Sequence, residues 1–233
     1  MSKYNLHKDM ILQVAKALGP ELCQEVAFVG GSTTGLLLTD QLAKEQVRYT
    51  DDVDLIVSVM GYPGWILLQE KLRDHGFKES MENTVICRMQ LGELQVDFMP
   101  DDDTLGFSNQ WYRQALATAD EYEISAGVMI RLVSPEFFVA TKLEAYKGRG
   151  NNDPLESRDI EDLLNIIDGR DALLEEISQA PSEIKDFIAL EFTNLLDNSL
   201  FEYAVQNKTN GETGREEILF SRIEAIASGS FSV

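Results

Sequence analysis

The stretch from Val29 to Val57 reads VGGSTTGLLLTDQLAKEQVRYTDDVDLIV. It starts at the end of a short apolar segment, passes through two glycines and a serine, and ends in a run rich in β-branched residues. Apolar spacing and turn residues predict a strand, a helix and a second strand over residues 26–29, 33–43 and 52–59.

The second strand carries two acids one residue apart. Because alternate residues of a strand point to the same side, Asp52 and Asp54 share a face and Asp51 points away. Two carboxylates this close repel unless one is protonated or a cation bridges them. Mg²⁺ prefers carboxylate and phosphate oxygens. The spacing alone leaves two interpretations open, a Mg²⁺ site or two solvated acids at a sheet edge.

The turn Gly30-Gly31-Ser32 lies where the first strand becomes a helix. Glycines allow a ligand to approach the backbone closely, and free N–H groups at a helix start attract phosphate. The alternative is a tight turn in which Ser32 only caps the helix.

A third acid comes from a predicted hairpin, with arms over residues 84–91 and 93–99 on either side of Gly92. Apolar residues alternate in its second arm and leave Asp97 on the polar face. If this arm lies beside the strand of the Asp-x-Asp pair, the three carboxylates form a cluster able to hold two metals.

The rest of the chain changes character near Ser134. A helix over 6–18, a helix ending at Asp74 and a strand over 128–133 complete a mixed first half. Helices follow over 135–147, 157–168, 171–179, 182–206 and 215–227. We therefore predict an α/β (α+β) domain over 1–133 and a helical C-terminal domain over 134–233, packed against it around an active-site cleft.

Composition narrows the class of partner. The 233 residues carry a net charge of −20, which argues against a large basic nucleic-acid surface. No apolar run has the length of a transmembrane helix, and the first residues have no signal-peptide pattern. Cys23 and Cys87 form no metal-like or redox-like pair. We expect a cytoplasmic protein with reduced cysteines and no membrane partner.

These motifs together resemble a known family. Gly-Gly-Ser after a first strand, Asp-x-Asp on the second and a later strand with a third Asp resemble the nucleotidyltransferase fold of the polymerase-beta superfamily. The segment SPEFFVATKLEAYKGRGNNDPLESRDIEDLLNII, residues 134–167, is similar to the Lys…Arg…Arg-Asp-x-x-Asp region of AbiEii-like nucleotidyltransferases. The resemblance covers residues 26–168. One departure is the nineteen residues between Ser32 and Asp52, more than the compact form of the motif has.

The resemblance implies a catalytic site. Gly31 and Ser32 would hold the β- and γ-phosphates of a nucleoside triphosphate (NTP), and Gly30 would belong to the same binding turn. Asp52 and Asp54 would bind Mg²⁺ or Mn²⁺, and Asp97 would share a metal and help to deprotonate the attacking hydroxyl. The implied activity is a Mg²⁺-dependent nucleotidyltransferase that moves a nucleoside monophosphate to a hydroxyl acceptor and releases pyrophosphate.

The helical half offers further candidates. Lys142, Tyr146 and Arg149 lie at i, i+4 and i+7 of one predicted helix and so share a face. We expect Lys142 to contact the triphosphate, Tyr146 to stack on the base, and Arg149 to lie where a loop folds over the ligand. The alternative is an ordinary amphipathic helix with cations near its C-terminal end. Two interpretations of Asp159 stay open: it orients Lys142, or it is an ordinary solvated charge.

The acceptor is not readable from the sequence. The acidic balance favours a small molecule or a protein hydroxyl over bulky RNA. Because the family includes abortive-infection toxins, the resemblance also implies a toxin-like role with an antitoxin partner, of which the residues themselves give no sign. Two alternatives stay open: a metal-dependent glycosyltransferase, which also uses Asp-x-Asp, and a catalytically idle nucleotidyltransferase-like binding module.

Overall fold

The computed structural model describes residues 2–79, 85–149 and 151–230. A single 3₁₀ turn, Gly31–Thr33, follows the first strand within them. The strands are β1 Val26–Val29, β2 Asp52–Val57, β3 Arg88–Leu91, β4 Leu94–Pro100, β5 Asp120–Ser125 and β6 Val128–Leu132. The helices are α1 Lys3–Glu25, α2 Thr34–Leu37, α3 Gln41–Glu45, α4 Gly61–Asp74, α5 Tyr112–Thr118, α6 Pro135–Arg149, α7 Arg158–Gly169, α8 Leu173–Gln179, α9 Ser182–Leu196, α10 Ser199–Thr209 and α11 Thr213–Ser228.

The six strands form one mixed sheet in the order β3-β4-β2-β1-β6-β5. The pairs β2–β4 and β1–β6 are parallel, and the pairs β1–β2, β3–β4 and β5–β6 are antiparallel. A mixed sheet followed by a helical C-terminal half confirms the predicted fold class.

The chain divides into two compact units. The first contains Met1–Leu36 and Tyr49–Ser134, and the second contains Leu37–Arg48 and Pro135–Val233. All six strands lie in the first unit. The segment Leu37–Arg48 leaves the first unit between two of its strands and belongs to the helical unit, which accounts for the long connection between Ser32 and Asp52.

The first unit is built on the central strands, whose side chains are almost all buried. Phe77 packs edge-on against Phe98 of β4, with ring centroids 5.3 Å apart. The two-residue turn of the β3–β4 hairpin is formed by Gly92, with φ +65°, and Glu93. The predicted first arm of this hairpin is too long, because β3 begins only at Arg88; its predicted first residue, Thr84, lies outside the described residues.

In the second unit, α7 buries the predicted stripe of Ile160, Leu163, Leu164 and Ile167. The helix predicted over 182–206 is wrong as a single element. It is interrupted after Leu196, and Asn198 caps the helix that follows, its side chain accepting a hydrogen bond from the backbone N–H of Leu200 at 3.0 Å.

The helix predicted over 33–43 is also wrong as a single element. Only α2 and α3 are helical, and the chain between them is held by other groups. The backbone N–H groups of Thr39 and Asp40 both donate to the carbonyl of Gly169, at 2.9 and 3.0 Å. The Asp40 carboxylate accepts from the N–H of Ala43 at 2.6 Å and so starts α3. Asp40 is a helix-start signal inside the predicted helix.

Several elements begin or end elsewhere than predicted. Helix α1 extends in both directions and bends where Gly19 has φ +73° and Pro20 follows. Helix α4 starts at Gly61, so Pro63 lies in its first turn rather than in a break. Neither β5 nor α5 is among the predicted elements. In the described ranges, no helix is both long and apolar enough to cross a membrane.

Candidate functional site

Three carboxylates of the first unit lie together on the central strands. In the parallel pairing of β2 with β4, Asp54 stands opposite Asp97, and Asp52 lies two residues earlier on the same face. One carboxylate oxygen from each residue can be chosen so that all three lie within 4.8 Å of one another. Asp97 is 8% exposed, and the other two are half-buried. These are the three acids singled out from the sequence.

The neighbouring acid is different. Asp51 precedes β2 and is exposed, and it is not part of the acid cluster Asp52, Asp54 and Asp97. Its exposure agrees with the expectation that Asp51 points away from Asp52 and Asp54.

Gly30 makes room for one of these acids. Val29 of β1 stands opposite Asp54 of β2, and Gly30 follows with φ 81° and ψ −171°. A Cβ added to Gly30 would lie only 1.8 Å from Oδ2 of Asp54. The glycine is therefore required by both its backbone conformation and the position of the Asp54 carboxylate. This contact joins the glycine turn to the acid cluster.

In the described part of the chain, one hydroxyl of the 3₁₀ turn and one just after it have no hydrogen-bond partner. Thr33 satisfies its hydroxyl by donating to the carbonyl of Gly30 at 2.8 Å. The hydroxyls of Ser32 and Thr34 are buried and have no hydrogen-bond partner among residues 2–79, 85–149 and 151–230. A buried hydroxyl without a partner loses about 1–3 kcal/mol relative to a paired one. Within the described residues, the Oγ of Ser32 is thus an unpaired hydroxyl at this turn, on a side chain that is 1% exposed.

A cation already lies against the acid cluster. Arg88 of β3 donates from Nε to Oδ1 of Asp97 at 2.6 Å and from Nη2 to Oδ2 of the same carboxylate at 2.7 Å. Nη2 also lies 3.4 Å from Oδ2 of Asp52, and Nη1 donates to the amide oxygen of Gln95. The other oxygen of Asp52 accepts from the hydroxyl of Thr50 at 2.5 Å.

Arg88 was not predicted as a site residue, although the hairpin register points to it. A two-residue turn at Gly92 and Glu93 pairs Leu91 with Leu94, and counting back along both strands sets Arg88 opposite Asp97. The bidentate hydrogen bonds to Asp97 raise the pKa of Arg88 above its usual range, against the effect of burial.

The acid cluster also acts on a buried thiol. Burial, reinforced by the charges of Asp97 and Asp54, raises the pKa of Cys87 to about 12. Burial alone raises the pKa of Cys23 to about 11. Both thiols are free and buried, which agrees with their expected role as reduced core residues.

The donor set suits a divalent cation. Three carboxylates offer only oxygen ligands, which Mg²⁺ and Mn²⁺ prefer. Arg88 already supplies positive charge there, since its guanidinium contacts two of the three acids.

The other candidates lie in the second unit, and the three charged ones, Lys142, Arg149 and Asp159, belong to a chain of alternating charges. Lys142 of α6 contacts Asp162 at 2.6 Å and Asp159 at 3.1 Å, both on α7. Arg149 forms two hydrogen bonds of 2.9 Å to Asp159. Arg48 forms two hydrogen bonds of 2.9 Å to Asp162. We call Arg48, Asp162, Lys142, Asp159 and Arg149 the charge chain.

The middle of the charge chain is deeply buried. Burial by itself lowers the pKa of Lys142, but the attraction of Asp162 and Asp159 outweighs it and raises that pKa. Burial by itself raises the pKa of Asp159, but Lys142 and Arg149 outweigh it and lower that pKa. The contact expected between Asp159 and Lys142 is therefore present and strongly ionic.

Accessibility separates the candidates of α6. Lys142 is 5% exposed, with its ammonium between two carboxylates. Tyr146 is 7% exposed, so its ring as placed presents little surface for stacking on a base. The Arg149 side chain is 71% exposed although it is paired. Asp162, which was not predicted as a site residue, also contacts Lys142, and Arg48, likewise not predicted, contacts Asp162.

Comparison with known proteins adds no assignment. No protein-family model matches the sequence, and none of the curated proteins is significantly similar to it. The resemblance to AbiEii-like nucleotidyltransferases therefore rests on the sequence motifs alone.

Proposed function

We propose that the protein is a Mg²⁺-dependent nucleotidyltransferase. The observation that carries this proposal is the acid cluster, in which Asp52, Asp54 and Asp97 bring carboxylate oxygens within 4.8 Å of one another on two parallel strands. The Gly30 turn lies directly against Asp54. A group of hard oxygen ligands beside a glycine turn suits a metal-bound phosphate chain.

The candidate residues of the first unit would have the following roles in this reaction. The three carboxylates would hold the divalent metal, which supplies charge stabilisation at the transferring phosphoryl group. Ser32 would donate its unpaired hydroxyl to a phosphate oxygen. The acceptor hydroxyl attacks the α-phosphorus in line, the bond from that phosphorus to the bridging oxygen breaks, and pyrophosphate leaves. The hydroxyl proton passes to the Asp97 carboxylate.

Two cations of the helical unit, Arg149 and Lys142, keep their predicted phosphate contacts in this proposal. Arg149 is the most accessible cation of the charge chain and the one best suited to meet a phosphate. Lys142 would have to exchange one of its two carboxylates for a ligand, because both lie within 3.1 Å of its ammonium. Roles for Tyr146 and Asp159 in nucleotide binding stay predictions.

The first test does not require the acceptor to be known. Binding of α,β-methylene analogues of the four NTPs is measured by calorimetry, with and without Mg²⁺, for the wild type, Asp54→Ala and Asp51→Ala. We expect binding that depends on Mg²⁺, lost by at least about a hundredfold in Asp54→Ala because a metal ligand is removed. Asp51→Ala is the matched control, since Asp51 is exposed and outside the acid cluster.

The second test is catalytic. Pyrophosphate release from each NTP is followed with a panel of hydroxyl acceptors, again in the three proteins. Equal release by the wild type and Asp54→Ala would remove the acid cluster from the reaction. Absence of Mg²⁺-dependent binding for all four analogues would overturn the proposed function, and binding of UDP-glucose in their place would favour a glycosyltransferase.

A further inference from the structure

The acid cluster contains its own positive group. The guanidinium of Arg88 donates two hydrogen bonds of 2.6 and 2.7 Å to Asp97 and lies 3.4 Å from Oδ2 of Asp52. Its remaining terminal nitrogen donates to Gln95. The side chains of Arg88, Asp97 and Asp52 are 19%, 11% and 27% exposed. The pairing is therefore only partly screened by water.

A divalent metal would need the same oxygens. Both oxygens of Asp97 and one of Asp52 accept hydrogen bonds from Arg88. A carboxylate has further lone pairs, but a guanidinium and a dication on the same carboxylate repel each other. Metal binding therefore requires Arg88 to leave these carboxylates, or else it is weakened by the repulsion between the two cations.

A released guanidinium needs another anion. Arg88 is half-buried on β3, and an arginine without a partner at such a place is unfavourable. The triphosphate of the substrate carries several negative charges, and arginine pairs with phosphate in the same bidentate geometry that it uses with carboxylate. Such a ligand would accept the guanidinium that the metal displaces.

We propose that Arg88 is the internal counter-cation of the acid cluster, which competes with the metal for Asp97 and Asp52 and transfers to the triphosphate when the substrate binds. The inference rests on the proposed function. Under this proposal metal and triphosphate bind cooperatively. The metal releases Arg88 for the phosphates, and the phosphates hold Arg88 away from the metal ligands. Arg88 is then a positioning and substrate-contacting residue, and the protein without nucleotide holds metal weakly.

The first experiment measures metal without nucleotide. Free Mn²⁺ is followed by electron paramagnetic resonance during titration of the wild type, Arg88→Gln, Arg88→Lys and Arg73→Gln. We expect Arg88→Gln to bind Mn²⁺ at least about tenfold more tightly than the wild type, since a charge-assisted bidentate pair no longer competes. Arg88→Lys keeps the charge without the fork and should fall between them.

Arg73→Gln is the matched control. It removes the same charge from the first unit, and Arg73 pairs with Glu79 at 3.0 Å through side chains about half exposed. Its Mn²⁺ affinity should stay within twofold of the wild type. Thermal unfolding without metal confirms that each variant is folded, and Arg88→Lys serves the comparison if Arg88→Gln does not fold.

The second experiment uses inorganic triphosphate, which carries the phosphate chain without a base. At saturating Mg²⁺, calorimetry should show at least about tenfold weaker binding of triphosphate to Arg88→Gln than to the wild type. Unchanged affinity would overturn the transfer of Arg88 to the phosphate chain.

The outcomes separate the two proposals. If the wild type binds Mn²⁺ as tightly as Arg88→Gln, the counter-cation role is wrong while the metal centre stands. If no variant binds Mn²⁺, with or without triphosphate, the metal centre itself is wrong, and the proposed function falls with it.

Discussion

Replacing Gly30 with alanine tests whether the glycine turn makes room for the Asp54 carboxylate. Gly30 has φ 81° and ψ −171°, a conformation that costs a residue with a side chain about 1–3 kcal/mol. The new Cβ would also lie 1.8 Å from Oδ2, 2.6 Å from Cγ and 2.7 Å from Cβ of Asp54. Displacing a packed side chain in this way costs a further 1–3 kcal/mol, roughly. We expect the free energy of unfolding to fall by about 2–6 kcal/mol.

A second glycine gives the cost of a side chain at positive φ without a clash. Gly92 in the β3–β4 turn has φ +65°, but a Cβ added there would meet nothing within 4 Å. Gly92→Ala therefore carries backbone strain alone, about 1–2 kcal/mol. Urea denaturation at neutral pH, followed by circular dichroism, measures both variants on the same scale.

A double-mutant cycle identifies the partner of the new methyl group. Asp54→Ala removes the two nearest atoms, Oδ2 and Cγ, and keeps only the Cβ of that side chain. Gly30→Ala should then be at least about 1 kcal/mol less destabilising in the Asp54→Ala background. The reasoning is refuted if Gly30→Ala is no worse than Gly92→Ala and its effect simply adds to that of Asp54→Ala.

Three further predictions concern buried ionisable groups. Lys142→Met should lower the free energy of unfolding by about 3–5 kcal/mol in urea titrations, because the buried Asp159 and Asp162 lose a shared cation. The pKa of Asp159 is lowered in the folded protein, so the stability that its ionised form contributes is fully present above the unfolded pKa of about 3.9. This stability is lost as the pH falls through the folded pKa. Urea titrations between pH 2 and 7 should show the loss, and the loss should be smaller in Lys142→Met. Cys23 and Cys87 should react with a chromogenic disulfide reagent at pH 8 only on unfolding, because both are buried and their thiol pKa values are about 11 and 12; rapid reaction of the native protein would contradict this.

The acid cluster was predictable because strand alternation is a local property. The spacing of Asp52 and Asp54 determines their common face, and the alternation around Asp97 determines its face, whatever the sheet order. The proximity of Asp97 to the other two acids could not be predicted in this way, since it depends on β2 and β4 being neighbours in the sheet. The position of Arg88 opposite Asp97 could also have been predicted locally, because the turn at Gly92 determines the register of the hairpin.

The errors have a different origin, because they depend on contacts between residues far apart in sequence. The break between α2 and α3 is held by the carbonyl of Gly169, about 130 residues further along the chain. The residue itself must be glycine, since an added Cβ would lie 2.6 Å from the Cβ of Ala43 and 3.0 Å from a methyl carbon of Leu38. No periodicity within residues 33–43 contains this information. Asp40 is the local signal of a new helix start, but the apolar residues on both sides of it favour a continuous helix.

The long connection between the glycine turn and the acids follows from the same contacts. Its ends belong to the first unit, whereas Leu37–Arg48 belongs to the second. Arg48 pairs with Asp162, which also holds Lys142, and Arg48 lies only four residues before Asp52. The charge chain therefore holds the C-terminal end of the segment Leu37–Arg48 within the helical unit. The added length thus has a physical role in that unit, because it brings Arg48 to the buried carboxylate of Asp162.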